Sequence, residues 1–248
     1  MTEETRQLFR HLVWNDMDFM EFFTADYTFI STSLAQIYGM SVPEREFSRV
    51  EYPAESGRSG VLGHGSFLVL TSKPAETSPT SRGLFVRIHF LAQEIAPPPP
   101  GVNAVLPEVV EEKPLTNRQR LAVHLNSEAC VSCHRLIDPI GFGFEQYDAI
   151  GSFKTKMALR FGGRDNPSTK ELELDTTAFV QGIPDSEFSR PKELGKLLAR
   201  NETCHRRSLS YVSGRSCRSS DRTIPNQRKE VNSNHLTHCK AVVSTAWE

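Results

Sequence analysis

The chain contains no apolar run long enough to cross a bilayer. Its richest stretches, GSFLVL and GLFVRIHFLAQEIA, are short or interrupted by charge, whereas a membrane-spanning helix needs about 20 apolar residues. The 248 residues carry a formal net charge of only −1, so no excess of positive charge indicates nucleic acid or an anionic membrane. We therefore expect no membrane span within this chain and no nucleic-acid partner.

Signals of secretion and of common catalysis are missing as well. The N-terminus, MTEETRQLFRHLVW, lacks the basic start and the uninterrupted apolar segment of a secretory signal. No Gly-rich phosphate loop, His-Glu-x-x-His motif or Ser-His-Asp order is apparent. These absences favour a binding or electron-transfer module over an enzyme.

Cysteine is scarce, and the five cysteines are an odd number. A fold held by disulfides alone would therefore leave one thiol unpaired. Two of the five stand with a histidine as C-x-x-C-H: Cys130, Cys133 and His134. This is the spacing of a c-type haem attachment site, where two thiols bond one porphyrin and the imidazole binds its iron. On a helix the three side chains share one face, since residues three and four apart are neighbours.

Three other interpretations of the cysteine pair stay open. A closed zinc site needs four ligands, and Cys204 with His205, about 70 residues away, is a poor second half. A thioredoxin-like redox pair would follow a strand, whereas Thr116 and Gln119 form a T-x-x-Q capping box that predicts a helix leading up to the motif. The third interpretation is a simple disulfide.

The residues around the motif extend it to a long pattern. The segment HLNSEACVSCHRLIDPIGFGFEQYDAIGSF resembles the haem-motif segment of planctomycete-type multidomain cytochrome c-like proteins, which consist of consecutive domains of unknown function (families 1592, 1588 and 1585). Their pattern is H-x5-C-x-x-C-H followed by D-P-x-G-F-x-x-E-x-[FY]-D-x-x-G. The matching positions here are His124, Cys130, Cys133, His134, Asp138, Pro139, Gly141, Phe142, Glu145, Tyr147, Asp148 and Gly151.

The resemblance covers nearly the whole chain. ADYTFISTSLAQIYGM resembles the end of the domain before the haem-motif domain, and CHRRSLSYVSGRSCRSSDR with AVVSTAW resembles the last domain. This implies three parts. Residues 1–52 end the preceding domain, 53–160 form the C-x-x-C-H domain with a Pro-rich strap at 97–114, and 161–248 form a C-terminal helical domain with a degenerate tail.

The resemblance implies a c-type cytochrome-like module that binds haem c covalently and transfers electrons as part of a larger exported protein. Cys130 and Cys133 would carry the thioether bonds, and His134 would be the proximal iron ligand. The partners would be an unknown redox protein and the upstream domains of the full-length protein. Because haem is attached to such motifs outside the cytoplasm, we expect a periplasmic or otherwise exported location and an N-terminally truncated chain. The alternative is a non-haem structural or binding module whose two cysteines form a disulfide or a metal clip.

The sequence pattern predicts a mainly α fold, with a cytochrome c-like helical domain around the motif and irregular Pro/Gly-rich segments beside it. Helices are predicted from Glu3, after a Ser33/Gln36 capping box, over 81–95 and from Pro191. A short hairpin is predicted at ELELDTTAFVQGI, residues 171–183. Asp138-Pro139 predicts a turn directly after the motif.

Several side chains are candidates for contact with the haem. Phe142, Phe144 and Tyr147 would either line it or belong to the ordinary core, and Glu145 and Asp148 would hydrogen-bond to the backbone of the following loop. The sixth iron ligand is not identified, and the side chains considered for it are Met40, Met157, His64, His89 and His124. Met157 is expected at the surface, Met40 in a small core contact, and His124 packed near the motif.

Overall fold

The structure of the protein is a computed structural model that describes residues 1–74, 76–97, 106–125, 128–162 and 166–212. Part of the expected strap at 97–114 and the tail after residue 212 lie outside the described residues. So does the side chain of His124, for which only the backbone is described.

The N-terminal part folds as short helices around a two-stranded sheet. Its elements are α1 (Thr2–Trp14), α2 (Glu21–Thr24), β1 (Tyr27–Ile30), α3 (Thr32–Tyr38) and β2 (Ser48–Glu51). The two strands pair antiparallel, with Tyr27 opposite Glu51. Helix α1 buries Leu8 and Leu12, which lie on one face because they are four residues apart.

The start of α3 differs from the prediction. The cap is Ser31, whose hydroxyl accepts a hydrogen bond from the backbone N–H of Leu34 at 3.2 Å, so the Ser33/Gln36 capping box is wrong. Gly39 ends the helix with φ at 67°, a conformation that costs a glycine little. Position 31 is a better cap because it already has the extended backbone of a cap residue.

The middle of the chain is helical. After 3₁₀ turns at Ala54–Ser56 and Gly60–Gly63, it forms α4 (Gly65–Leu70), α5 (Pro79–Phe85), a π-helical continuation at Val86–Phe90, α6 (Asn117–His124) and α7 (Glu128–Phe142). The helix predicted over 81–95 is present but begins at Pro79, and its π-helical continuation ends at Phe90, five residues before the predicted end. Ser78 caps it and accepts from the backbone N–H of Ser81 at 3.2 Å.

A hairpin and two helices complete the described chain: β3 (Lys156–Phe161), β4 (Ser168–Glu173), α8 (Pro191–Arg200) and α9 (Glu202–Val212). The strands pair antiparallel, with Lys156 opposite Glu173. The hairpin predicted within 171–183 is therefore wrong, because only its first three residues are strand and their partner lies upstream. The helix predicted to begin at Pro191 is confirmed.

The described fold is mainly α, and all three predicted parts of the chain contribute to its largest core cluster. That cluster includes Phe23, Leu62, Phe67, Leu68, Val86, Ile140, Phe144, Tyr147, Leu194, Leu198 and Cys204. Burial raises the pKa of Cys204 to about 11, so this thiol stays protonated at neutral pH. No helix in the described ranges combines the length and apolar character that crossing a bilayer requires.

A buried polar cluster joins α1 to the residues that begin α4. The carboxylate of Glu4 accepts hydrogen bonds from Tyr38 at 2.8 Å and from Thr28 at 2.8 Å. The imidazole of His64 is fully buried beside it, with Nδ1 2.9 Å from the hydroxyl of Thr5 and Nε2 4.0 Å from Glu4 Oε1. Burial lowers the pKa of His64 below 6.5, against the opposing effect of Glu4.

We expect His64 to make the fold less stable in acid. Because its folded-state pKa lies below the ordinary value of 6.5, the unfolded chain binds the proton more readily. The contribution of neutral His64 to the free energy of unfolding is complete above about pH 6.5. It is lost as the pH falls, by at most about 1.4 kcal/mol per pH unit for one proton. Urea unfolding between pH 7.5 and 5.5 measures this slope. His64→Asn, which does not titrate, should show a shallower slope, and equal slopes would contradict the assignment.

Candidate functional site

The motif lies in the first half of α7, and a second helix precedes it. Thr116 and Gln119 form the expected capping box, with Thr116 N donating to Gln119 Oε1 at 2.9 Å and Gln119 N donating to Thr116 Oγ1 at 3.3 Å. The helix that this box begins ends at His124, and α7 begins at Glu128. The sequence predicted one helix that leads up to the motif, whereas the structure has two helices, and the motif lies in the second.

Cys130, Cys133 and His134 share one face of α7 by their i, i+3, i+4 spacing. Both cysteines are free thiols and are partly exposed. The imidazole side chain is 22% exposed. The same face continues to Asp138 and Gly141, both of which are buried. The face is thus accessible where the motif lies and buried one to two turns later.

His134 is hydrogen-bonded to a buried carboxylate. Its Nδ1 lies 2.8 Å from Oδ2 of Asp138, one helical turn further along α7. The other carboxylate oxygen, Oδ1, accepts from the hydroxyl of Thr80 on α5 at 2.7 Å. The hydrogen bond to Asp138 raises the pKa of His134 above 6.5, although partial burial opposes it. A histidine, a carboxylate and a hydroxyl therefore form a chain between two helices.

Helices α5 and α7 cross in close contact at two glycines. A Cβ added to Gly83 would lie far inside van der Waals contact of the carbonyl oxygen of Ile137. A Cβ added to Gly141 would collide in the same way with the carbonyl oxygen of Pro79. Only residues without a side chain allow the two backbones to approach this closely, so the crossing holds the buried half of α7 in place.

The turn predicted at Asp138-Pro139 is wrong, because Pro139 lies inside α7 and the helix continues to Phe142. A proline in a helix lacks the N–H that would bond the carbonyl four residues earlier, and so disturbs the helix there. In the same turn, the carbonyl of Leu136 accepts from Nε of Arg87 at 2.9 Å. Arg87 is buried and reaches α7 from the π-helical segment after α5. The carbonyl that Pro139 leaves without its helical donor is that of Arg135, so Arg87 does not replace this hydrogen bond but binds the next carbonyl of α7 and ties that turn to the segment after α5.

A second buried arginine, Arg82 of α5, holds the loop that follows the site helix. Its guanidinium donates to the carbonyls of Phe144 at 2.7 Å, Tyr147 at 3.0 Å and Asp148 at 3.1 Å. Its Nη1 also lies 3.8 Å from Glu145 Oε1. Burial lowers the pKa of Arg82 to about 10, which leaves it charged at neutral pH.

We expect Arg82→Lys to destabilise the protein by about 3 kcal/mol, although the charge is kept. An ammonium lacks the planar fork that reaches several carbonyls at once, and each buried acceptor left without a donor costs about 1–3 kcal/mol. Denaturant unfolding measures the change. Arg10→Lys on the exposed face of α1 is the matched control, with an expected change within about 0.5 kcal/mol. Equal losses in the two variants would contradict the role of Arg82.

Sequence reasoning missed these arginines. The signal was present in SRGLFVRIHF, where Arg82 and Arg87 interrupt an otherwise apolar helix. A charged residue within an apolar segment that is expected in the core predicts a buried hydrogen-bond or ion-pair partner, because an unpaired buried charge is very costly.

The aromatic residues after the motif belong to the protein core. Phe144 and Tyr147 are fully buried in the largest cluster, whereas Phe142 is buried with the guanidinium of Arg118 4.0 Å from its ring centroid. Asp148 hydrogen-bonds to the loop backbone as expected, accepting from the N–H groups of Ile150 and Ser152. Glu145 instead accepts from the side chain of Asn117 at 2.9 Å, which is a side-chain contact rather than the expected backbone one.

The side chains considered for the sixth ligand occupy separate environments. Met157 is buried in β3, so the expected surface position is wrong. Met40 packs against the small cluster around Ile30 and Leu34, as expected. His64 belongs to the Glu4 cluster, and the ring of His89 lies 4.3 Å from that of Phe85. The sixth ligand stays unassigned.

The second half of a zinc site is not formed in the described part of the chain. Cys204 lies in the largest core cluster, fully buried. Within the described ranges, no group of three or more His, Cys, Asp or Glu side chains is arranged to hold a metal ion. Cys204 and His205 therefore do not join the motif in a closed four-ligand site.

Comparison with known proteins identifies two family domains. Residues 58–157 match the family model PSCyt3, a protein of unknown function (DUF1588). Residues 1–40 match PSD4, a protein of unknown function (DUF1592). The third expected family, 1585, is not shown by these matches. Searches of curated proteins and of solved structures find no match to the chain.

Proposed function

The chain carries the PSCyt3 and PSD4 domains of the planctomycete-type cytochrome families, and on this premise we propose that it is a covalent haem c-binding module that transfers electrons. Cys130 and Cys133 form the two thioether bonds, and His134 is the proximal iron ligand. The observation that carries the proposal is the C-x-x-C-H motif on the accessible half of α7, with its imidazole hydrogen-bonded to a buried carboxylate.

The donor set fits this group. Two partly exposed free thiols are one turn apart, which suits addition to two vinyl groups of one porphyrin. The carboxylate of Asp138 engages Nδ1 of His134, so Nε2 is the ring nitrogen directed to a metal. When bound, haem supplies an iron centre that exchanges single electrons.

Residues of α5 support the helix that carries the motif. Thr80 and the two crossing glycines fix α7 against α5, and Arg82 fixes the loop after it. A rigid support of this kind keeps an iron ligand in one orientation, which limits the reorganisation that accompanies a change of charge.

We extend the proposal to the whole protein. The three parts, residues 1–52, 53–160 and 161–248, belong to consecutive domains of a longer exported protein that matures outside the cytoplasm. A redox protein of unknown identity is the electron partner, and the upstream domains provide further contacts.

A maturation experiment tests the proposal. The full chain is exported to a bacterial periplasm with a cytochrome c assembly system, purified and denatured. We expect a mass gain of one haem that survives denaturation, and the reduced pyridine spectrum of thioether-linked haem. A colourless product that has lost only two hydrogens, or that contains zinc, would sink the haem proposal and favour a disulfide or metal clip.

A further inference from the structure

We propose that Asp138 positions the imidazole of His134 and that Thr80 adjusts how strongly the carboxylate of Asp138 accepts its hydrogen bond. Asp138 selects Nε2 as the metal-binding nitrogen and makes the imidazole a stronger electron donor, while Thr80 moderates this effect. The inference rests on the proposed haem function, and it goes beyond that function by assigning roles to two residues outside the C-x-x-C-H motif.

The carboxylate of Asp138 is buried, and hydrogen bonds to both of its oxygens fix its position. It is 2% exposed, and each oxygen has its own partner. Oδ2 lies 2.8 Å from Nδ1 of His134, and Oδ1 accepts from Thr80 at 2.7 Å. Removing a carboxylate from water is costly unless hydrogen bonds replace the water, and these two contacts supply them.

The position of the carboxylate is fixed by two helices rather than one. Asp138 and His134 are one turn apart on α7, whereas Thr80 comes from α5. The two helices touch backbone to backbone at Gly83 and Gly141, on either side of the Thr80–Asp138 contact along the crossing. The contact with Thr80 therefore ties the carboxylate of Asp138 to α5 as well as to its own helix.

This geometry has a known consequence for a metal-binding histidine. A carboxylate that accepts the Nδ1 proton fixes the tautomer and the ring orientation, and it increases the basicity of Nε2. A more basic ligand favours the more oxidised iron. A hydroxyl that donates to the same carboxylate withdraws part of its charge and works in the opposite direction.

The signs of two substitutions therefore differ. Asp138→Asn keeps the shape of the side chain but removes its charge, so we expect the reduction potential of the haem to rise. Thr80→Val keeps the shape of Thr80 but removes its O–H, so the carboxylate becomes a stronger acceptor and the potential should fall. If Asp138 and Thr80 had a purely structural role, the reduction potentials of the two variants would shift in the same direction or stay unchanged.

The first test is a redox titration at fixed pH of the haem-loaded full chain, comparing wild type, Asp138→Asn and Thr80→Val. Ser81→Ala, at an exposed position next to Thr80 on α5, is the matched control and should leave the potential unchanged. Opposite shifts support the inference. Unchanged potentials, or shifts of the same sign, overturn it while leaving haem attachment intact. If Asp138→Asn fails to mature, the sign of the Thr80→Val shift decides.

The second test needs no haem. Nitrogen-15 NMR of the histidine-labelled, haem-free full chain reports which ring nitrogen of His134 carries a proton. We expect Nδ1 to be protonated in wild type and the population to move towards the Nε2–H tautomer in Asp138→Asn. The same tautomer in both proteins would overturn the inference. This result is independent of haem attachment, so failure of the wild type to bind haem counts against the proposed function alone.

Discussion

Replacing both motif cysteines with serine is expected to abolish covalent haem attachment. The hydroxyl of serine does not form the thioether bond that a thiol forms with a vinyl group, so the Cys130→Ser/Cys133→Ser double variant should lose the haem mass gain completely after denaturation. Either single variant should retain at most one bond and give a lower yield of pigment. Denaturing mass spectrometry and the reduced pyridine spectrum measure both outcomes.

The structure provides a matched control for this experiment. Ser132 lies between the two cysteines and is exposed, and its hydroxyl lies 3.9 Å from the sulfur of Cys133. Ser132→Ala therefore removes only this weak contact from the same turn of α7 and leaves both thiols and the imidazole in place. It should mature like wild type. His134→Ala should leave the two sulfurs able to react but deprive the iron of its proximal ligand, and loosely bound or absent pigment is expected. Normal spectra from the double-serine variant would contradict the assignment of the motif.

Gly83→Ala is expected to disrupt folding severely. The added methyl group would overlap the carbonyl oxygen of Ile137 and approach the backbone nitrogen of Gly141 at 3.3 Å. Both are backbone atoms of a neighbouring helix, so no rotamer change relieves the overlap, and α5 must separate from α7. We expect a loss of about 4 kcal/mol or more, or failure to fold. Urea unfolding monitored by circular dichroism measures it.

Gly39→Ala separates this clash from the general effect of replacing a glycine. An added Cβ there meets nothing within 4 Å, and only its φ of 67° opposes alanine. The expected cost is about 1–2 kcal/mol. If Gly83→Ala were no more destabilising than Gly39→Ala, the close crossing of α5 and α7 would be wrong.

The two predictions are linked through α7. Its C-terminal half is fixed by the glycine crossing, and its N-terminal half carries the motif. Loosening the crossing should displace Asp138 from Thr80 and release the carboxylate that orients His134. A glycine far from the reactive sulfur atoms therefore contributes to the site through rigidity rather than contact.

Several features could be predicted because they depend on residues close together in sequence. The capping box of Thr116 and Gln119 needs partners only three positions apart, and the start of α8 needs only the fixed φ of Pro191. The three-residue spacing of Cys130 and Cys133 likewise places both thiols on one helix face. The match to the PSCyt3 family over residues 58–157 confirms the resemblance read from the extended motif.

Two local predictions placed an element a few residues from its observed position. Ser31 rather than Ser33 caps α3, through a contact with the N–H of Leu34 that is as local as the predicted capping box. The segment at 171–183 has the composition of a hairpin, but its first three residues belong to β4, which pairs with β3, the strand just before it in the chain. The hairpin is local, as predicted, but lies upstream of the predicted segment, because the alternating residues 156–161 supply the partner strand.

By itself, the sequence determined the mainly α class and the helix face that carries Cys130, Cys133 and His134, because each follows from spacings of three or four residues. Only the tertiary structure decided that Pro139 stays within α7, that Arg82 and Arg87 are buried, and that Asp138 joins His134 to Thr80. The hydrogen bonds of Thr80, Arg82 and Arg87 with α7 and the loop after it join residues about 50 or more positions apart, so they form only when α5 and α7 have packed.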